Sequence, residues 1–276
     1  MNPQSWIKAK KKHKRWTMLT AYDAPTAELL ASTGIDLILV GDSVGMVLLG
    51  YKSTVPVTMD EMLHHAKAVR RGAPDAFVIG DMPWNAVRHG AREALRAASR
   101  FVEEGGCDAV KVEWGPHAFE ITRRLVGAGV PVMGHLGLTP QTASKSGGFK
   151  VRARSANDAA RLLNRAKAWE SLGAFSMVLE CVPTNVAQAV TKHLKIPVIG
   201  IGAGPYCDGQ VLVFQDVVGL FRKFKPKFVK RYAEADRIFR SAVSRYAADV
   251  RKGVFPSQAH SFHMAKDELT RFAEAL

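Results

Sequence analysis

The sequence predicts an α/β protein: a (β/α)8 TIM barrel with extra C-terminal helices. Three observations predict it. Eight short apolar runs recur along the chain, stretches of helical spacing separate them, and polar residues gather at the C-terminal tips of the runs. A length of 276 residues suits one large α/β domain or two ordinary ones. Eight strands alternating with helices imply parallel pairing, closed into a barrel or, as the alternative, wound as an open sheet.

The runs are residues 17–20, 37–41, 77–81, 109–113, 132–135, 175–180, 197–201 and 211–214. They are rich in Val, Ile and Leu, and most do not alternate with polar residues, which is how strands buried on both faces read. The eighth is ambiguous, because 211–220 also fits a helix. Residues 24–32 form the first helical stretch, ahead of Gly34. Thr58 and Glu61 have capping-box spacing and open a helix to Arg71, with Gly72 behind it. Residues 87–104 stop at Gly105-Gly106, and 116–126, 156–172 and 183–194 follow, with Pro116 and Pro183 suited to first turns. Beyond the eighth unit, residues 227–252 and 257–275 read as two further helices. The expected division is a flexible basic tail, 1–15, and a single catalytic barrel domain, 16–276.

Composition excludes several classes. Hydrophobic residues make up 47%, charged residues 23%, and mean hydropathy is -0.05, so wholesale disorder is excluded. The longest uncharged run, 125–144, contains four Gly and two Pro and is no membrane span. No apolar core with a small-residue cleavage site opens the chain, and the expected location is cytoplasmic. Cys107, Cys181 and Cys207 are widely spaced, without C-x-x-C, and suit a reducing compartment. The net charge of +14 is terminal: residues 1–15 carry six Lys/Arg and no acid, and 222–276 carry thirteen against six acids. A basic nucleic-acid-binding or scaffold protein is thus an alternative, but it leaves the acids of the middle unexplained.

Those acids are the informative feature. Asp42-Ser43 ends the second run, Asp81 the third, Lys111 and Glu113 the fourth, His135 the fifth and Glu180 the sixth. In a barrel these tips face the active-site mouth. Converging carboxylates require a cation among them, and either Lys111 or a metal ion supplies it. Asp42, Asp81 and Glu113 come from neighbouring strands, and an all-oxygen set suits a hard ion such as Mg²⁺. Lys111 and Glu113 share a strand face. Glu180 lies two strands away, where desolvation makes a carboxylate a usable general base. Each residue has a plainer reading: Asp42 and Asp81 as turn residues, Lys111 and Glu113 as an exposed pair, Glu180 as a partner of an Arg, His135 as a hydrogen-bonded core histidine. The glycines of 200–204 follow the seventh run without fitting G-x-G-x-x-G, and the long loop 136–155 reads as a lid or a surface excursion.

Read together, the segments Thr20-Ala-Tyr-Asp23, Val40-Gly-Asp-Ser-Val-Gly45, Gly80-Asp-Met-Pro83, Ala109-Val-Lys-Val-Glu113, Val132-Met-Gly-His-Leu-Gly-Leu-Thr-Pro-Gln141, Gly147-Gly-Phe-Lys150, Leu179-Glu180 and Ile199-Gly-Ile-Gly-Ala-Gly204, with Cys207-Asp-Gly-Gln210, resemble the ketopantoate hydroxymethyltransferase (3-methyl-2-oxobutanoate hydroxymethyltransferase) family. The resemblance covers 17 to about 230. It implies transfer of a hydroxymethyl group from 5,10-methylenetetrahydrofolate to 3-methyl-2-oxobutanoate, giving 2-dehydropantoate for pantothenate and coenzyme A, through a Mg²⁺-stabilised enolate. It implies Asp42, Asp81 and Glu113 as metal ligands, Asp42, Ser43, Asp81 and Lys111 as substrate contacts and Glu180 as proton acceptor; His135, from its place at a strand tip, is a further candidate to support the ligands. It also implies a homo-oligomer, a decamer, with neither nucleic acid nor membrane as partner. The rival enzyme reading is a Mg²⁺-dependent carbon–carbon lyase of the phosphoenolpyruvate mutase/isocitrate lyase type. Such lyases commonly carry a loop Cys, which 136–155 lacks.

Overall fold

The computed structural model describes residues 3–142 and 150–276. Eight parallel strands close into a barrel in chain order: β1 (Trp16–Thr20), β2 (Leu37–Val40), β3 (Phe77–Asp81), β4 (Ala109–Glu113), β5 (Val132–Gly137), β6 (Ser176–Glu180), β7 (Val198–Ile201) and β8 (Gly209–Leu212). The open sheet is therefore excluded. The helices in chain order are α1 (Pro3–Lys11), α2 (Ala24–Ser32), α3 (Val44–Val47), α4 (Met59–Gly72), α5 (Trp84–Val87), α6 (Ala91–Glu103), α7 (Ala118–Gly127), α8 (Ala156–Ser171), α9 (Thr184–His193), α10 (Phe214–Val217), α11 (Ala235–Arg251) and α12 (Lys266–Glu274). No described helix is long and apolar enough to cross a membrane.

Strand alternation sorts the core into two layers. Leu37 and Leu39 point into the barrel with Met18, Ile79, Met133 and Val178, while Ile38 and Val40 pack outward against helices. Helix ends follow local chemistry. Thr58 Oγ1 accepts from Glu61 N at 3.2 Å and Glu61 Oε2 accepts from Thr58 N at 2.7 Å, the reciprocal cap expected from their spacing. The expected helix 87–104 is split, because Gly90 (φ +95°) breaks it between α5 and α6. Pro183 is the N-cap of α9 and Pro116 precedes the N-cap of α7, so neither enters a first turn. The ambiguous eighth unit contains both elements, β8 followed by the one-turn α10.

On β3, Gly80 makes room for the fully buried Phe101 of α6: a Cβ there would lie 2.5 Å from its ring. Gly80→Ala is expected to destabilise the barrel by about 1–3 kcal/mol, read from the midpoint of urea unfolding.

Three expectations at the chain ends need correction. Residues 3–11 form a helix, not a flexible tail, and Trp6 is 1% exposed. Its ring stacks on Trp16 (centroids 5.7 Å apart) and meets Phe175 at 5.0 Å, filling the floor of the barrel. Lys10 pairs with Asp208 at 2.8 Å and Lys14 with Asp36 at 2.6 Å. The charge run concealed one large aromatic, and its burial, with the contacts of Lys10 to Thr191 O, Ile196 O and Asp208, docks the helix. The helix expected over 227–252 begins only at Ala235. Six cations without an acid lie between Arg222 and Arg231, with Pro226 among them. Such a run is disfavoured as helix by like-charge repulsion and by proline. It folds back instead, with Tyr232 N donating to Val217 O and Ala235 N to Val218 O, each at 2.8 Å. The last expected helix, 257–275, resolves into a short 3-10 turn, Gln258–His260, and α12.

Candidate active site

A cavity of about 420 Å³ opens at the C-terminal ends of the strands. Asp42, Ser43, Asp81, Lys111, Glu113, His135 and Glu180 all border it. Parallel register brings them together: Asp81 stands beside Lys111, Glu113 beside His135, and Glu180 beside Gly137. Asp42, Asp81, Lys111, Glu113 and His135 are each at most 5% exposed, and the Glu180 side chain is 15% exposed at the rim. The turn-residue, exposed-pair and Arg-partner readings therefore do not describe them.

Lys111 Nζ lies 2.8 Å from Asp81 Oδ1 and 3.2 Å from His135 Nδ1. His135 in turn bridges two acids, with Nδ1 3.5 Å from Glu113 Oε2 and Nε2 3.2 Å from Glu180 Oε2. It is a buried histidine engaged by the site's own acids rather than by the distant core. Asp42 N donates to Asp81 Oδ2 at 3.1 Å. Ser43 Oγ and Tyr22 OH share a hydrogen bond of 2.8 Å. Behind Glu180, Leu138 N donates to its carbonyl at 2.8 Å, and Gly137 (φ +100°) permits that approach: a Cβ there would fall 2.1 Å from the same oxygen.

Gln141 was not assigned a role from sequence. It is buried, and its side-chain amide donates to Asp42 Oδ2 and to Met82 O, each at 2.9 Å, while its backbone N–H donates to Glu113 Oε1 at 2.9 Å. Its position in the His135–Gln141 segment was the available signal, but only the folded loop brings it between two strand tips. Residues 143–149 of that loop, including Gly147, Gly148 and Phe149, lie outside the described residues, and Lys150 borders the cavity.

The electrostatics follow from burial. Desolvation raises the Asp81 carboxyl to about 7, with Asp42 adding to the rise and Lys111 opposing it. Burial would depress the Lys111 ammonium, but Asp81, Asp42 and Glu113 outweigh it and hold the group protonated. Glu113 is raised, first by burial. For His135, burial and Lys111 oppose the charged form, and the carboxylates of Glu113 and Glu180 overcome them, to about 9.

Among the described residues no three His, Cys, Asp or Glu side chains form a ready-made metal cage. The three-carboxylate set expected from the strand tips is thus not preassembled: Asp42 and Asp81 adjoin, and Glu113 is tied to Asp42 through Gln141. The physical reason is that Lys111 and His135 sit among the acids as their countercharges. Asp81 Oδ1 has Lys111 Nζ at 2.8 Å as its partner. Two buried carboxylates side by side, Asp42 and Asp81, fit Mg²⁺, which takes one or two protein carboxylates and completes its shell with water and substrate.

An eight-stranded barrel with a buried lysine and clustered acids at the C-terminal mouth defines an α/β-barrel enzyme. The chain belongs to the ketopantoate hydroxymethyltransferase family, whose model matches residues 1–258. It is 58% identical over 251 residues to a 3-methyl-2-oxobutanoate hydroxymethyltransferase of Thermus thermophilus, covering 91% of this chain and 96% of the relative. A protein of the same description from Heliobacterium modesticaldum is 54% identical over 255 residues, covering 92% of each. Among solved structures, phosphonopyruvate hydrolase in complex with oxalate and Mg²⁺ superposes with a TM-score of 0.61 at 14% identity, covering 100% of this chain and 99% of that one. That likeness shows a shared fold.

Proposed function

We propose that this hydroxymethyltransferase moves a one-carbon unit from 5,10-methylenetetrahydrofolate to C3 of 3-methyl-2-oxobutanoate, giving 2-dehydropantoate. The observation that carries this reading is the shared cavity in which Asp42, Asp81, Glu113 and Lys111 stand together with Glu180 at the rim. Family membership supports the substrate pair.

In this reading Asp42 and Asp81 would hold Mg²⁺, and Glu113 supports it through Gln141. The ion supplies Lewis-acid stabilisation of the negative charge that develops on the keto oxygen. Lys111 attracts the substrate carboxylate, and Ser43, fixed by Tyr22, offers a further polar contact. Glu180 takes the C3 proton, and His135 holds its carboxylate in place. The resulting enolate forms a C–C bond to the methylene carbon of the folate; both C–N bonds of that carbon break in the course of the transfer, water supplies the product hydroxyl, and tetrahydrofolate leaves with its nitrogens protonated.

The test is a coupled turnover assay, joined to deuterium exchange at C3 in the absence of folate. Mg²⁺-dependent exchange and folate-dependent product are expected. A chain that cleaves a carbon–carbon bond of another 2-oxo acid and ignores folate would establish the rival lyase. Gln141→Ala is expected to weaken Mg²⁺ binding roughly 10–100-fold, as losses of ligand-orienting partners do; titration calorimetry reads it without turnover.

We also read the chain as a homo-oligomer. On α11 the exposed Phe239, Val243, Tyr246 and Val250 repeat at helical spacing and favour association with a second copy. The decamer implied by the resemblance predicts a ten-chain mass in light scattering. Three unpaired thiols fit a cytoplasmic location.

A further inference from the structure

The cavity has a second half that the acid mouth does not use. The segment between α10 and α11 folds over the strand ends and brings Phe221, Phe224 and Phe228 to the cavity wall, with Asp216 of α10 beside them. Phe221 and Phe224 pack edge to face, centroids 5.2 Å apart. Phe221 is buried, whereas Phe224 keeps 50% of its surface exposed. The glycines after β7 now acquire a role: a Cβ on Gly202 (φ +63°) would stand 2.7 Å from the Phe228 ring. The glycine loop after β7 thus seats an aromatic side chain.

The Asp216 carboxylate makes no hydrogen bond or ion pair among the described residues. Burial raises it, and Arg231 only partly pulls it back. A half-buried carboxylate without a donor, set in a wall of aromatic rings, is an acceptor awaiting one.

We propose that this half of the cavity holds the pterin ring of the reduced folate, with Asp216 accepting from its 2-amino-4-oxopyrimidine edge and the phenylalanines covering its faces. The inference rests on the folate-dependent reading above. That edge presents two adjacent N–H donors, N3–H and the 2-amino group, which match the two oxygens of one carboxylate. A flat bicyclic ring gains from edge and stacking contacts with Phe221, Phe224 and Phe228. Anchored by its pyrimidine edge, the ring leaves its pyrazine side, which carries the one-carbon unit, free to face Lys111 and Glu180. Lys227, exposed at the cavity margin, offers a cation to the glutamyl tail.

The test measures affinity of the full chain for tetrahydrofolate, for 6-methyltetrahydropterin and for p-aminobenzoylglutamate. Asp216→Asn is expected to weaken the first two by a common factor of roughly 10–100, the loss of a charge-assisted pair, and to leave the third unchanged. Folate-independent C3 exchange in the same variant reports that the acid mouth is assembled. Unchanged pterin affinity in a folded, exchanging variant overturns the proposal. Should Asp216→Asn fail to fold, Phe224→Ala at an exposed ring carries the test, with a several-fold weakening of pterin binding expected and none overturning it. A wild-type chain that binds the pterin but shows no C3 exchange overturns the acid-mouth reading alone.

Discussion

Glu180→Gln will slow deuterium exchange at C3 of 3-methyl-2-oxobutanoate by about 10²–10⁴-fold, the range that a positioned general base supplies. The substitution keeps the shape of the side chain and its approach to His135, which lies 3.2 Å from Glu180 Oε2. It removes the only property the step needs, a basic oxygen. Glu180 is not among the groups tied to Asp42 or Asp81, so Mg²⁺ and substrate affinity should persist and the loss should fall on the rate. The Glu180 side chain is 15% exposed at the rim, and the isosteric change leaves its backbone bonds in place, so unfolding stability should hold. A variant that exchanges at the wild-type rate would remove Glu180 from the mechanism.

Lys111→Met has the largest expected effect on stability. Lys111 is buried at 4% exposure and pairs with Asp81, itself 2% exposed. Removing one member of a buried pair costs about 3–5 kcal/mol, because the other charge is left uncompensated. Asp81 is the charge left, with Asp42 donating only a backbone N–H to it. The sign of the pH dependence follows. Desolvation already places Asp81 near 7 in the presence of Lys111, above the value of about 3.9 for an unfolded aspartate. A carboxyl whose folded value is raised destabilises above its unfolded value and is harmless once protonated. Without Lys111 the Asp81 carboxyl is raised further, so the two proteins differ in its ionisation only as pH rises through about 7; the deficit of Lys111→Met relative to wild type should grow above pH 7 and level off below it, in paired urea titrations. A pH-independent deficit would mean that lost packing, not the stranded carboxylate, explains it. Mg²⁺ should restore part of the stability at pH 7, since a bound cation stabilises the folded state by mass action.

The barrel, and the strand-tip residues that border its cavity, were legible in the sequence. Strand tips are where barrels place chemistry, so Asp42, Asp81, Lys111, Glu113, His135 and Glu180 could be collected from periodicity alone, and all six border one cavity. The details that escaped share a cause. Trp6 was hidden in a run of lysines, and Gln141 sat in a loop whose path no local pattern describes. The segment from Phe221 to Phe228, only the end of which fell in an expected helix (227–252), was given no role because its charges are local and its aromatic contacts are not. The metal set was anticipated as three carboxylates in direct company. The fold instead interposes Lys111, His135 and Gln141, because acids brought this close must be neutralised by whatever donors the neighbouring strands and loops deliver.

Sequence by itself determined the alternation of eight buried strands with helices, and which polar residues stand at the strand tips, because side-chain period and burial are written locally. Tertiary structure alone decided which of those residues touch, how deeply each is removed from water, and what closes the two ends of the barrel. Contacts between residues distant in the chain, such as Gln141 with Asp42 or Gly202 with Phe228, carry no local periodicity and exist only once the barrel has closed.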